Sequence, residues 1–138
     1  MSTQYKKNRH SCYNLNYHLV VVTKYRNKVI NKDVLEELKL ICRNIFEEKW
    51  NCSIIEINGE EDHIHILFEA PPQVQLSKLI NNLKTVSSRL VRKKFKSHVD
   101  KFYWEPYFWS DSYLLLSTGG APVDIIKGYI ENQCSPKK

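Results

Sequence analysis

A chain of 138 residues, 42% hydrophobic and 12% aromatic, is long enough to bury one core and too short for two full-sized domains. No stretch reaches the roughly 18 apolar residues of a membrane span, and the polar, basic start Met1 to His10 lacks the apolar core of a secretion signal, so a single domain (1–138) in the cytoplasm is the expectation. A net charge of +6 and a pI near 9.1 favour a polyanionic partner without separating DNA, RNA and anionic lipid. Four scattered cysteines, Cys12, Cys42, Cys52 and Cys134, form no C-x-x-C pair and argue against a zinc knuckle or redox motif.

Tyr13 to Thr23 is rich in β-branched and aromatic residues and reads as a first strand. Asn31 and Asp33 offer capping groups for an amphipathic helix over Val34 to Trp50, where Leu35, Leu38, Ile41, Ile45 and Phe46 recur at helical spacing. Ser53 to Asn58 and His63 to Glu69 are two β-prone runs joined by Gly59-Glu60-Glu61-Asp62, a hairpin connection. Leu76 to Val91 repeats as a second helix, His98 to Tyr107 reads as loop, and Phe108 to Ser117 as a further strand. Gly119-Gly120 then interrupts the chain, and Pro122 suits the first turn of a final helix running towards Gln133. The order β-α-β-β-α-β plus an appended helix predicts an α+β, ferredoxin-like (RRM-like) domain with an antiparallel sheet.

His63 and His65 are two apart in a predicted strand, so both imidazoles leave the same face while Ile64 points into the core. Imidazole is a common ligand for divalent metals, although the pair alone does not separate ligands from a surface pair. Tyr129 and Gln133, four apart on the last helix, share one face. A phenol there suits a rim position with a wet hydroxyl as well as it suits a nucleophile. On the second helix Lys78, Thr85, Arg89, Arg92 and Lys96 form a stripe opposite the apolar face, with Lys24, Arg26 and Lys28 after the first strand adding charge. Such a stripe fits a solvated face or a phosphate track, and Tyr103, Trp104, Tyr107, Phe108 and Trp109 fit either core or base stacking.

Taken together, Glu61-Asp62-His63-Ile64-His65-Ile66-Leu67 and Gly128-Tyr129-Ile130-Glu131-Asn132-Gln133 resemble the two signatures of the single-tyrosine HUH transposases of bacterial and archaeal insertion sequences. Tyr17-His18-Leu19-Val20, Thr23-Lys24-Tyr25-Arg26, Ser87-Ser88-Arg89-Leu90, Phe108-Trp109-Ser110 and Ser117-Thr118-Gly119-Gly120-Ala121-Pro122 resemble that family's other recurrent stretches in the same order, so the resemblance spans nearly the whole chain.

The resemblance implies a divalent ion, Mg²⁺ or Mn²⁺, held by His63, His65 and the amide oxygen of Gln133, with Tyr129 as the nucleophile that takes the 5′ phosphate of a cut single strand and releases a 3′ hydroxyl. It further implies DNA hairpins near element ends as substrate, an obligate homodimer with active sites assembled in trans, and a mobile tyrosine helix over 122–134. Lys24, Arg26, Lys78, Arg89, Arg92 and Lys96 are the expected DNA contacts, and His18, in the first strand, is a possible but unassigned assistant. Two rival readings share parts of this pattern. A replication initiator or relaxase of the same superfamily has the same chemistry but usually extra domains. A non-catalytic RRM-type RNA-binding module has the same element order but displays aromatics where this chain has HIHILFE.

Overall fold

The computed structural model describes residues 6, 7 and 12–118, so the predicted final helix, with Tyr129 and Gln133, lies outside the described residues. Asn31 caps the first helix as expected, its side chain accepting from the Val34 backbone N–H at 2.8 Å. This helix, α1, spans Lys32–Arg43 and buries Val34, Leu38, Ile41 and Cys42 along one stripe. It continues as a wider π-helical stretch, Asn44–Lys49, that buries Ile45 and Phe46. The helical expectation to Trp50 therefore covers two kinds of turn.

Four strands form the sheet: β1, Asn16–Thr23; β2, Ser53–Glu60; β3, His63–Glu69; and β4, Trp109–Ser117. With the second helix, α2, over Leu76–Lys94, they give the expected β-α-β-β-α-β order. Neighbours run β2-β3-β1-β4, every pair antiparallel, so each half-motif places its two strands on either side of one from the other half. Leu19, Val21, Ile64, Ile66 and Phe68 point to the helices and form the main core with Phe46, Leu79, Ile80 and Leu83. The opposite face carries a small separate cluster of Val20 and Val22 backed by Leu114 and Leu116.

Several boundaries differ from the sequence expectations, the last strand beginning at Trp109 and the second helix running to Lys94 among them. The first strand begins at Asn16, not Tyr13, because Cys12–Tyr13 pairs with Lys6–Lys7 instead; between the two, the Asn16 side-chain amide donates to Asn14 Oδ1 at 3.0 Å. The β2–β3 connection shrinks to Glu61-Asp62, since Gly59 and Glu60 stay in the ladder opposite Ile64 and His63. This ladder position takes glycine because a Cβ there would lie 2.7 Å from the His63 carbonyl oxygen. Residues 98–107, expected as loop, include the end of a short helix, Lys96–Val99, and then a packed stretch in which Tyr103 is buried and donates its hydroxyl to the Lys24 carbonyl at 2.6 Å. No helix among the described residues is long and apolar enough to cross a membrane.

Candidate metal and nucleic-acid site

Strand periodicity puts His63 and His65 on the sheet face turned away from the helices, where the register sets them opposite Val22 and Val20 of β1 and Glu60 and Asn58 of β2. Their ring centroids are 6.5 Å apart. His18 joins them: it pairs with Leu67, making it a diagonal neighbour of His65, with ring centroids 5.3 Å apart. His18 is 1% exposed, a buried imidazole beside the expected ligand pair. Its parity with Val20 and Val22 was visible in the sequence, but its proximity to His65 depends on strand register, which composition does not give.

The tip of the β2–β3 hairpin is pinned by the end of β1. The Thr23 backbone N–H donates to the Asp62 carbonyl at 2.9 Å, its hydroxyl lies 3.2 Å from the same oxygen, and the Ile30 N–H donates to the Glu61 carbonyl at 3.0 Å. Tyr25 and Arg26 then take left-handed backbone conformations, φ 59° and 55°, that side chains with a Cβ rarely adopt. This turn carries the Arg26 guanidinium to Asp62, with Nη2 at 2.9 Å and Nε at 3.1 Å from one carboxylate oxygen. The other oxygen lies 2.9 Å from His63 Nδ1.

Burial opposes ionisation of Asp62, but the His63 hydrogen bond and the Arg26 charge outweigh it and hold the carboxyl below the usual carboxylate range. An ionised carboxylate only accepts, so His63 Nδ1 must carry the proton. In the neutral ring this leaves Nε2 as the lone-pair nitrogen, the state required of a metal ligand. The two strand imidazoles therefore fit half of a divalent-metal site. No group of three or more His, Cys, Asp or Glu side chains among the described residues could hold an ion.

The expected nucleic-acid contacts separate into groups. Arg89, Arg92 and Lys96 line one groove with Lys93 and Trp104, while Lys24, Lys84, Thr85, Tyr107 and Trp109 line a second groove that shares Arg92 and Pro106 with the first. Lys78, near the start of α2, lines neither groove. Arg26 is directed to Asp62, with its side chain 31% exposed. Of the five aromatics weighed for stacking, Tyr103, Phe108 and Trp109 are core residues, with the Trp109 indole N–H donating to Ser87 Oγ at 2.9 Å. Trp104 is 95% exposed and Tyr107 is half-buried.

Residues 11–133 match the family model described as "Transposase IS200 like". The chain is 32% identical over 128 residues to the ISDra2 transposase TnpA of Deinococcus radiodurans, covering 93% of this chain and 90% of that protein. It is also 32% identical over 129 residues to the transposase for insertion sequence element IS200 of Salmonella typhimurium, covering 94% of this chain and 83% of the relative. A crystal structure of a Deinococcus radiodurans protein described as a transposase superposes with a TM-score of 0.76 at 32% identity, covering 93% of this chain and 97% of that one. A REP-associated tyrosine transposase bound to a REP hairpin shares the fold at a TM-score of 0.53 and 8% identity, covering 91% of this chain and 68% of that one.

Proposed function

The chain belongs to the IS200-like transposases, single-tyrosine enzymes of the HUH class, and from that premise we propose that it cuts and rejoins single-stranded DNA through a covalent bond to Tyr129. The observation that carries this reading furthest is the pair His63 and His65 on one sheet face, with the His63 ring fixed by Asp62 so that Nε2 is available. His63, His65 and Gln133 would hold Mg²⁺ or Mn²⁺, which when bound supplies Lewis-acid stabilisation of charge at the scissile phosphate.

The Tyr129 hydroxyl attacks phosphorus: its O–P bond forms as the bond to the 3′ oxygen breaks, the phenol proton leaves to solvent, and the 3′ oxygen takes one up. The 5′ phosphate stays on Tyr129 as an ester. A 3′ hydroxyl attacking that ester runs the same exchange backwards and joins strands, so no nucleotide cofactor is consumed. Arg89, Arg92, Lys96, Lys24 and Lys78 contact phosphates, and Arg26 braces Asp62. Because one protein of this fold is described as bound to a REP hairpin, the proposed substrate is single-stranded DNA carrying hairpins at element ends. The active unit is a homodimer whose sites each take Tyr129 from the other chain.

The test is covalent capture. Incubated with Mn²⁺ and a hairpin-bearing single strand, the wild-type protein gives a protein–DNA adduct on a denaturing gel, and Tyr129→Phe, which deletes only the nucleophilic oxygen, gives none while still binding DNA. An adduct with the phenylalanine variant would move the nucleophile to another residue.

A further inference from the structure

The groove that holds Trp104 is about 440 Å³, and the one it adjoins about 320 Å³, both of ligand-cleft size. They adjoin at Arg92 and Pro106, which line both, and lie side by side as a track along α2. The walls of the larger groove differ in chemistry. On the α2 side stand Arg89, Arg92 and Lys93, none of which has a carboxylate partner among the described residues. Lys96 follows them but is bound to Asp100 at 2.7 Å. On the facing side stand Trp104, Glu105 and Pro106. A polyanion threading the groove meets cations on one wall, and on the other an indole and a carboxylate that repels phosphate.

Trp104 is the unusual member. An indole is the largest apolar side chain available to a core, yet this one is 95% exposed, while its sequence neighbour Tyr103 is buried and anchored to the Lys24 carbonyl. Anchorage of Tyr103 fixes the backbone that presents Trp104, so the ring is held out at low conformational cost. At its far end the track reaches Lys24, the residue after the Thr23 that holds Asp62, so it ends at the corner of the sheet where His63 begins β3.

We propose that Trp104 is a stacking platform for an unpaired base of single-stranded DNA, whose phosphates run along the Arg89, Arg92 and Lys93 wall towards Lys24. Stacking on an aromatic face is open to every base, so the subsite adds affinity for unpaired strand without reading sequence. The inference rests on the proposed function for the choice of DNA as the polymer.

Tryptophan fluorescence and anisotropy on the full chain test it, with an oligothymidylate that forms no hairpin as the probe. Trp109 is buried and Trp50 half-buried, and both remain in Trp104→Ala, so the quenching on saturation that wild type shows and this variant loses is that of Trp104. Trp104→Ala weakens binding on the order of tenfold and leaves the salt dependence unchanged, since no phosphate contact is lost. Trp104→Phe retains most of the affinity, and Arg92→Ala lowers the salt slope by about one unit. Trp104 is exposed, so its replacement leaves the core intact, and circular dichroism checks the fold directly. Affinity of Trp104→Ala within twofold of wild type, or a fall in its salt slope, overturns the platform. If wild type forms the Tyr129 adduct while Trp104→Ala binds normally, the platform alone fails. If the binding pattern holds but no adduct forms, the transposase chemistry fails and the platform stands.

Discussion

Asp62 places one carboxylate oxygen 2.9 Å from His63 Nδ1 and the other 2.9 Å from the Arg26 guanidinium, linking a strained turn after β1 to the first residue of β3. Partners of this kind fix the ring orientation and tautomer of a ligating histidine and raise its basicity.

Asp62→Ala is therefore expected to lower Mn²⁺ affinity on the order of 10- to 100-fold, read by calorimetry. Independently of metal, nitrogen NMR of His63 shifts from a single Nδ1-protonated tautomer to a mixture, because the carboxylate that selects it is gone. Asp62→Asn retains part of both effects, since its amide oxygen still accepts. Unchanged affinity with an unchanged tautomer would reduce Asp62 to a hairpin residue.

Gly59 supports the same hairpin from the edge strand. An added Cβ would sit 2.7 Å from the His63 carbonyl oxygen and 2.8 Å from Ile64 Cγ2, and the first of these atoms is backbone and cannot swing away. Gly59→Ala is expected to cost about 1–3 kcal/mol as the strands separate. Urea unfolding measures it, and a loss near zero would mean that β2 shifts without resistance.

Which features were legible in the sequence follows from the range of the interactions that make them. The H-x-H pair needed only the two-residue strand period, and Asn31 only its position before an apolar repeat. His18 beside His65 required the Val20 to His65 register, which packing of Leu19, Val21, Ile64 and Ile66 on the helices decides. Gly59 looked like turn punctuation because a close backbone approach leaves no mark in composition. Trp104 and Trp109 are the same residue type five positions apart, and only the Ser87 hydrogen bond and the core behind Trp109 separate a buried indole from an exposed one.

Alkaline pH should unfold the domain through its buried thiols. Burial pushes the Cys42 thiol far above its ordinary value of 9.0 and the Cys52 thiol up to about 11. Above pH 9.0 the unfolded chain releases these protons while the folded chain keeps them, so stability is full below that pH and falls as pH rises. Each thiol contributes a slope of about 1.4 kcal/mol per pH unit once past its unfolded value, and the Cys52 contribution ends near pH 11. Urea unfolding under reducing conditions at several pH values, compared between wild type and Cys42→Ala, should show the variant losing stability less steeply. Parallel slopes would mean that the Cys42 thiol titrates alike in both states.

The last expectation concerns which chain completes the site. The described residues hold both strand imidazoles, and among them no group of three or more His, Cys, Asp or Glu side chains could hold an ion; in the proposed site the remaining ligand is Gln133. In the proposed homodimer the partner's Gln133 and Tyr129 arrive together, because four residues apart on one helix face they travel as a unit. His65→Ala lacks an imidazole and Tyr129→Phe lacks the nucleophile, so each homodimer is inactive alone. A heterodimer of the two has one site made from intact imidazoles of the second chain and intact Tyr129 of the first. Covalent adduct should reappear in it, at up to half the sites, and on the histidine-variant chain. If each chain instead completes its own site, every site in the heterodimer has one defect and no adduct forms. Differently tagged chains, purified as the heterodimer and resolved by size on a denaturing gel, distinguish the two arrangements by which chain carries the DNA.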